Sequence, residues 1–219
     1  MIKLEKVTKI YNAKRRNKYP ALRDISLEIS DGELCAVIGK SGSGKTTLLH
    51  IIGMLDTFNY GKYLFDNIDV AGSSESKISK LRAGKIGFVK QDFALIEDYS
   101  VIDNVMLPLY PIKSKNKRQK ALNAIKKLGI SALADKDISQ LSGGEKQRSA
   151  IARAIVNDPR IILADEPTGS LDSKTASDIM NVFRRLNAEG KTVVIVTHDK
   201  EIARQCNRII EISDGEIVS

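Results

Sequence analysis

A glycine-rich loop between two apolar runs constrains this chain more than any other feature. The loop reads Gly39-Lys40-Ser41-Gly42-Ser43-Gly44-Lys45-Thr46. The run Leu34–Ile38 before it predicts a buried strand, and residues 47–52 after it are apolar enough to begin a helix. In a strand–loop–helix of this spacing, consecutive backbone N–H groups curl around a phosphate, because glycines let the backbone approach an anion. The loop therefore predicts a nucleotide-binding site.

The end of this loop carries the residue types that phosphoryl chemistry needs. Lys45 is placed to reach the β- and γ-phosphates, and the Thr46 hydroxyl to ligate Mg²⁺. The helix that begins near Lys45 and continues through Thr47 adds unpaired N–H groups and its positive dipole end. An ordinary Gly/Ser turn that contains a lysine would not require the full spacing and both flanks.

Two carboxylates follow a second buried strand. Ile161-Ile162-Leu163-Ala164 runs directly into Asp165 and Glu166. Ligands of open α/β sheets bind at the carboxyl ends of the strands. We therefore predict Asp165 in the Mg²⁺ shell and Glu166 as the residue that polarises the attacking water.

The segment Leu141-Ser142-Gly143-Gly144-Glu145 precedes a helical pattern that includes Ala150, Ile151, Ala154 and Ile155. Ser-Gly-Gly at a helix N-terminus could form a second anion site by the same physics as the first. The same residues could also be a glycine pair that ends one helix before another. The segment alone leaves both interpretations open.

The remaining pattern predicts an α/β fold in one domain, residues 1–219. Alternating residues in 2–7 and 25–29 predict an antiparallel sheet at the N-terminus. Apolar strands at 86–89, 161–164 and 192–196, with a helix over 173–188, predict a parallel sheet. Residues 92–140 have the character of a helical insertion, with Ser100 and Ser114 as helix caps.

Composition limits the classes of partner. The chain has 219 residues and a net charge of +8, and no apolar run approaches the length of a membrane span. The N-terminus lacks the apolar region of a signal peptide, so a cytoplasmic protein is expected. Basic residues cluster over 14–18 and 113–120 without interleaved aromatic residues, so a solvated surface is favoured and no nucleic acid is expected.

Taken together, Gly39–Thr46, Leu141–Glu145, Ile161–Glu166, Ser170-Leu171-Asp172 and His198 make the chain resemble the ATP-binding subunit of an ABC transporter. The order and spacing match over nearly the whole chain. The resemblance implies a P-loop NTPase (RecA-like) core, an N-terminal antiparallel β-subdomain and an α-helical insertion subdomain. It implies ATP and Mg²⁺ as cofactors, and ATP hydrolysis. It also implies a homodimer, in which the Ser142–Glu145 signature of one copy closes on the γ-phosphate held by the P-loop of the other.

The same resemblance assigns four further residues. It implies that Tyr11 stacks on adenine, that Gln91 contacts Mg²⁺ and the water, that Asp172 signals across the dimer, and that His198 contacts the γ-phosphate. Without it, Tyr11 reads as a packing residue and His198 as an ordinary histidine at a strand end.

Two stretches, Gly53–Asp56 and Asn104–Leu109, resemble the subgroup that releases lipoproteins or exports macrolides and antimicrobial peptides. The departures from the family pattern are Lys40 for proline, Glu145 for glutamine and Lys90 for an aromatic residue. None of them removes a catalytic group. The expected role is to drive an integral membrane permease from the inner face of the cell membrane.

Other classes fit less well. A small-molecule kinase has no use for Leu141–Glu145. A DNA-repair ATPase of this superfamily carries a long coiled coil or extra DNA-contacting domains between the two halves. Only about fifty residues separate Gln91 from Leu141 here, without sustained heptads. A translation-associated member would fuse two cassettes. A subunit that transmits force through a membrane partner without transport stays open.

Phe93, Leu95 and Ile96 are apolar side chains in a stretch that also holds Asp92, Glu97 and Asp98. An apolar group rimmed by charge suits docking of a partner helix. The alternative is that these side chains only pack the insertion onto the core.

Overall fold

The computed structural model describes residues 1–13, 17–111 and 115–218. The chain divides into two compact units, Met1–Ala83 with Val194–Ser219, and Gly84–Val193. Part of each predicted basic cluster, together with the predicted helix cap Ser114, lies outside the described residues: Lys14, Arg15, Arg16 and Lys113.

Strands and helices alternate along both units. Up to Ala83 the elements are β1 (Ile2–Tyr11), β2 (Tyr19–Ile29), β3 (Leu34–Ile38), α1 (Lys45–Ile52), β4 (Tyr60–Phe65), β5 (Ile68–Asp69) and α2 (Glu75–Arg82). Then follow β6 (Ile86–Val89), α3 (Val101–Met106), α4 (Lys117–Lys127), α5 (Gly143–Ile155), β7 (Ile161–Asp165), α6 (Ser173–Ala188) and β8 (Thr192–Val196). The chain continues with α7 (Lys200–Ala203), β9 (Arg208–Ser213) and β10 (Glu216–Ile217).

The first unit contains the antiparallel sheet that the N-terminal alternation predicts, in the order β2-β1-β4-β5. Strand β1 buries Ile2 and Leu4 and then changes phase, because its register shifts between Leu4 and Val7 and Lys6 has a φ of 48°. After this bulge the inward positions are Val7 and Lys9. A lysine is therefore turned to the buried face of the sheet.

A second set of strands in the first unit supports the glycine-rich loop. Strand β3 is buried over residues 34–37 and runs parallel to β9, which pairs antiparallel with β10. At the end of β8 the Thr197 N–H donates to the Val37 carbonyl over 3.0 Å. The parallel pairing agrees with the sequence, whereas β9, β10 and the short helix α2 were not predicted.

In the second unit, β6 pairs parallel with β7, and the Thr192 N–H donates to the Arg160 carbonyl over 2.9 Å. Helix α6 has the bounds that the sequence predicts. Its apolar face, which includes Ile179, Phe183 and Leu186, is fully buried, because these side chains recur on one side of a helix with 3.6 residues per turn.

Residues 92–140 carry helices: α3, α4 and three short 3₁₀ segments at Leu107–Leu109, Ser131–Leu133 and Ile138–Gln140. Helix α4 begins at Lys117, whereas the sequence placed its cap at Ser114. Ser100 caps α3 as predicted, and its side chain accepts the Asp103 N–H. Within the described ranges, none of the helices has both the length and the apolar character that crossing a bilayer requires. That 92–140 acts as a subdomain stays a prediction.

One buried side chain fixes the backbone that precedes α3. Asn104 is fully buried, accepts the Ile96 N–H over 2.8 Å, and donates to the carbonyls of Ile96 and Ser100 over 3.0 and 3.1 Å. Arg153 of α5 donates to the carbonyls of Phe93, over 2.7 Å, and Ala94. The segment 93–100 is thus tied to two helices of its own unit.

Replacing Asn104 with alanine should lower the melting temperature by several degrees. The change leaves the Ile96 N–H without its bond to the Asn104 side chain, at about 1–3 kcal/mol. The carbonyls of Ile96 and Ser100 keep the N–H groups of Tyr99 and residue 104 as donors. Each kcal/mol corresponds to roughly 2–4 °C in a domain of this size. Thermal unfolding followed by circular dichroism measures the shift. Asn123→Ala, at an exposed position of α4, is the control, and an equal melting temperature for the two variants would contradict the assignment.

Candidate nucleotide-binding site

The loop Gly39–Thr46 folds around the ammonium group of Lys45. This side chain is buried, with 8% of the residue exposed, and its Nζ atom donates to the carbonyls of Gly39 and Lys40 over 2.9 and 2.8 Å. Helix α1 begins at Lys45 without a side-chain cap. The positive charge and the uncapped N–H groups of the helix thus belong to the same loop, as anion binding requires.

Two glycines allow this loop to pack. Gly44 has a φ of 105°, and a Cβ atom there would lie 2.5 Å from the Ala21 carbonyl oxygen of β2. A Cβ atom on Gly39, at φ 154°, would lie 2.2 Å from the Ile212 carbonyl oxygen of β9. The loop backbone therefore lies against two strands of the first unit. Lys40, Ser41, Gly42 and Thr46 are exposed.

Tyr11, the residue expected to stack on adenine, lies next to helix α1. Its hydroxyl donates to Asp56 Oδ2 over 2.8 Å, and the Thr47 side chain hydrogen-bonds to the same phenol. Burial and the neighbouring Asp56 carboxylate raise the pKa of Tyr11, so the phenol remains a donor. His198, also in the first unit, is exposed two residues beyond the end of β8.

The second unit brings Gln91 and Glu166 together. Asp165 ends β7, and Glu166 follows in the left-handed region with a φ of 46°. A Cβ atom on Gly169 would lie 3.6 Å from Gln91 Nε2 and 3.7 Å from Glu166 Cβ. Left-handed backbone at a non-glycine residue is strained and concentrates at functional sites. The Gln91 amide nitrogen and the Glu166 Cβ atom therefore both lie close to Gly169.

Ser142 and Glu145 form a capping box at the start of α5. The Ser142 N–H and hydroxyl donate to Glu145 Oε2 over 2.9 and 2.7 Å, and the Glu145 N–H donates back to Ser142 Oγ over 3.4 Å. These bonds hold the pKa of Glu145 below its ordinary value. Of the two interpretations of Leu141–Glu145, the structure therefore favours the start of a helix over a glycine pair that ends one.

Asp172 lies next to this cap. It begins α6, where its Oδ1 atom accepts the Lys174 and Thr175 N–H groups over 3.1 and 3.0 Å and its Oδ2 atom accepts the Thr175 hydroxyl over 2.6 Å. These hydrogen bonds, the Thr175 hydroxyl first, lower the pKa of Asp172. A Cβ atom on Gly144 would lie 2.6 Å from Thr175 Cγ2. The signature helix and the Asp172 cap thus contact each other through Thr175.

Sequence reasoning missed Lys9 and Asp56. Lys9 Nζ donates to Asp56 Oδ1 over 2.6 Å and lies 4.7 Å from the centroid of the Tyr11 ring. Strict alternation from Ile2 predicts that Lys9 points outward, whereas the bulge at Lys6 turns it inward. A lysine at an inward strand position needs a buried acceptor, so recognising the bulge would have indicated the need for a partner such as Asp56.

The residues present fit a magnesium nucleotide. The Lys45 ammonium and the glycine-rich backbone match a polyphosphate, while Thr46, Gln91 and Asp165 carry oxygen ligands of the type that Mg²⁺ prefers. Thr46 belongs to the first unit, and Gln91 and Asp165 belong to the second.

Comparisons with family models and with known proteins point to the same family. The family model described as "ABC transporter" matches residues 22–169. The ABC transporter ATP-binding protein YvrO of Bacillus subtilis is 42% identical, over 100% of this chain and 96% of its own length. The macrolide export ATP-binding/permease protein MacB of Syntrophobacter fumaroxidans is 44% identical over 99% of this chain, which spans only 31% of MacB.

A solved structure covers both units. It is a dimeric, post-hydrolysis state of the ATP-binding cassette MJ0796 bound to ADP and Pi, with a TM-score of 0.91 and 43% identity over 100% of this chain and 97% of that chain. The MJ0796 protein itself, from Methanocaldococcus jannaschii, is 46% identical over 99% of this chain and 95% of its length.

These likenesses confirm the predicted α/β fold class of an ATP-binding cassette. They also confirm ATP hydrolysis as the reaction and ATP with Mg²⁺ as its cofactors. The relatives named MacB agree with the predicted export subgroup. The chain belongs to the ABC transporter family, as one of its ATP-binding ATPase subunits.

Proposed function

We propose that two copies of this chain pair head to tail around two ATP molecules and drive an integral membrane permease from the inner face of the membrane. One observation carries this proposal. The chain has a P-loop that holds a buried lysine, and a separate capped helix N-terminus at Ser142–Glu145 that a single nucleotide in that P-loop does not need. The dimeric MJ0796 cassette and the ATP-binding/permease name of MacB support it.

The substrate that fits the subgroup is hydrophobic or amphipathic: a lipoprotein, a macrolide or an antimicrobial peptide. Support comes from the relatives named for macrolide export, which match this chain at 44–47% identity. The direction of transport would be export or extraction from the membrane. Contacts with the substrate would belong to the permease, since this chain supplies the ATPase.

The chemistry would be divided among named residues. Lys45 and the loop N–H groups of residues 39–47 bind the phosphates, while Thr46, Gln91 and Asp165 would hold Mg²⁺. Mg²⁺, when bound, would supply positive charge that neutralises the charge developing on the phosphates. Glu166 accepts a proton from the attacking water, and Gln91 beside it orients that water. His198 contacts the γ-phosphate, and Asp172 carries the signal across the dimer.

Glu166→Gln should preserve ATP binding and reduce turnover by a factor on the order of hundreds or more, because the amide cannot accept the proton. Lys45→Ala should instead weaken ATP binding, because it removes a charge partner of the phosphates. Phosphate release measures turnover, and titration calorimetry measures binding. Glu189→Gln, an exposed glutamate paired with Lys127, is the matched control. Near-native turnover of Glu166→Gln would overturn its role.

Blocked hydrolysis should trap the dimer. We expect Glu166→Gln to move to double mass on size exclusion with ATP but not with ADP, because only the γ-phosphate would reach the opposing Ser142 and Gly144. Adding Ser142→Arg should abolish the shift by placing bulk and charge in the closing interface. Adding Ser131→Arg instead, at an exposed 3₁₀ position, should leave it intact. A shift that survives Ser142→Arg would indicate a different dimer.

The permease would dock on the segment that follows Gln91. Phe93 and Leu95 are half-buried, and Ile96 is 41% exposed, beside Asp92, Glu97 and Asp98. Arg153 and Asn104 fix the backbone of this segment, so the apolar side chains are presented by a rigid support. Partial exposure on a fixed backbone favours docking over packing into the core.

Leu95→Asp should spare the melting temperature and ATP-driven dimerisation but abolish recovery of a multi-spanning membrane protein from detergent-solubilised membranes. Val218→Asp, which changes an exposed apolar residue in the same way, should not affect recovery. In a core position the aspartate would lower the melting temperature by several degrees, because an unpaired buried charge is costly. Early melting, or recovery of nucleic acid in place of the membrane protein, would contradict the docking proposal.

A further inference from the structure

Lys9 is a buried residue near the end of β1, and it belongs to a cluster of charged and polar groups. Only 7% of the residue is exposed, and its Nζ atom donates to Asp56 Oδ1 over 2.6 Å and to the Thr57 carbonyl over 2.7 Å. The Thr57 N–H also donates to Asp56 Oδ1, over 2.7 Å. Strand β1 is therefore joined to the turn that follows α1 by a salt bridge with additional hydrogen bonds.

The same cluster holds Tyr11 at two points. The Tyr11 hydroxyl donates to the second carboxylate oxygen of Asp56, Oδ2, over 2.8 Å. The Lys9 ammonium lies over the ring, 4.7 Å from its centroid, within the range of a cation–π contact. One carboxylate thus fixes both the lysine and the phenol, and the lysine covers one face of the ring.

The Asp56 carboxylate stays ionised in this setting. Burial alone would raise its pKa, but the hydrogen bonds from Lys9, Tyr11 and the Thr57 N–H together hold the pKa below its ordinary value. A depressed carboxylate pKa means that the contribution to stability is present above the unfolded-state pKa and is lost only as the pH falls through the folded-state value. The cluster is therefore intact at neutral pH.

We propose that Lys9 and Asp56 are positioning residues that orient the Tyr11 ring for the nucleobase, with the face opposite Lys9 as the stacking face. The proposal rests on the stacking role of Tyr11 given above. Fixing the ring before the base arrives reduces the ordering cost of binding. The cluster would therefore set affinity for the base and leave affinity for the polyphosphate unchanged.

That separation supplies the test. ATP and inorganic tripolyphosphate are the two probes, each titrated by calorimetry, because both carry three phosphates and only ATP carries a base. Tyr11→Ala should weaken ATP binding on the order of tenfold, the range expected for loss of one base-stacking contact. Its affinity for tripolyphosphate should stay within about twofold of that of the unaltered protein, since the P-loop is untouched.

Two further variants address the positioning itself. Tyr11→Phe keeps the ring and removes the hydroxyl that bonds to Asp56 and to the Thr47 side chain. Lys9→Met combined with Asp56→Asn removes both charges and leaves no unpaired one. Both should weaken ATP binding roughly three- to tenfold, raise KM for ATP and leave kcat unchanged. Tyr60→Phe, at a tyrosine 66% exposed on β4, is the matched control and should change nothing.

The outcomes separate cleanly. If Tyr11→Ala binds ATP normally, the stacking role of Tyr11 fails, and the positioning role fails with it. If Tyr11→Ala weakens ATP binding but Tyr11→Phe does not, stacking holds and positioning is wrong. Equal losses for ATP and tripolyphosphate would show that the cluster only supports the P-loop, which also overturns the inference. Should the double variant unfold, Tyr11→Phe alone decides between these outcomes.

Discussion

The buried ammonium of Lys45 is the constraint on which the first unit depends. A charge with 8% exposure requires hydrogen-bond acceptors, and the loop supplies them by folding the carbonyls of Gly39 and Lys40 back onto it. That fold is possible only where the backbone lies against β2 and β9 without side chains, at Gly39 and Gly44. The same turn leaves α1 uncapped. The backbone conformation that stabilises the buried Lys45 ammonium thus also forms a site suited to a polyphosphate.

Helix caps organise the second unit in a comparable way. Ser142 and Glu145 satisfy the first turn of α5, Asp172 satisfies the first turn of α6, and Thr175 joins the two caps. Because Glu145 is ionised, it offsets part of the positive end of the α5 dipole, which a glutamine would leave in place. Residues with proposed roles in the dimer therefore also stabilise the helices that carry them.

The sequence predicts elements whose signal is local. Strand β3 and helix α6 match their predicted ranges because a short apolar run and a 3.6-residue periodicity need no information from elsewhere. The Lys9–Asp56 pair was missed because its members are 47 residues apart and a bulge changes the phase of β1. Strand β10 has only two residues, and β9 pairs parallel with β3 and antiparallel with β10. Tertiary pairing of this kind leaves little trace in a local pattern.

The segment that follows Gln91 combines rigidity with access. Its carbonyls at Phe93 and Ala94 are held by Arg153, which lies near the end of α5. Phe93 and Ala94 both have positive φ, of 58° and 49°, a strained backbone that persists only where neighbours impose it. Gln91, two residues earlier, has its amide nitrogen close to Gly169, as does the Cβ atom of Glu166. A contact on Phe93 or Leu95 therefore acts on a short, strained stretch of chain that begins two residues after the amide proposed to orient the water.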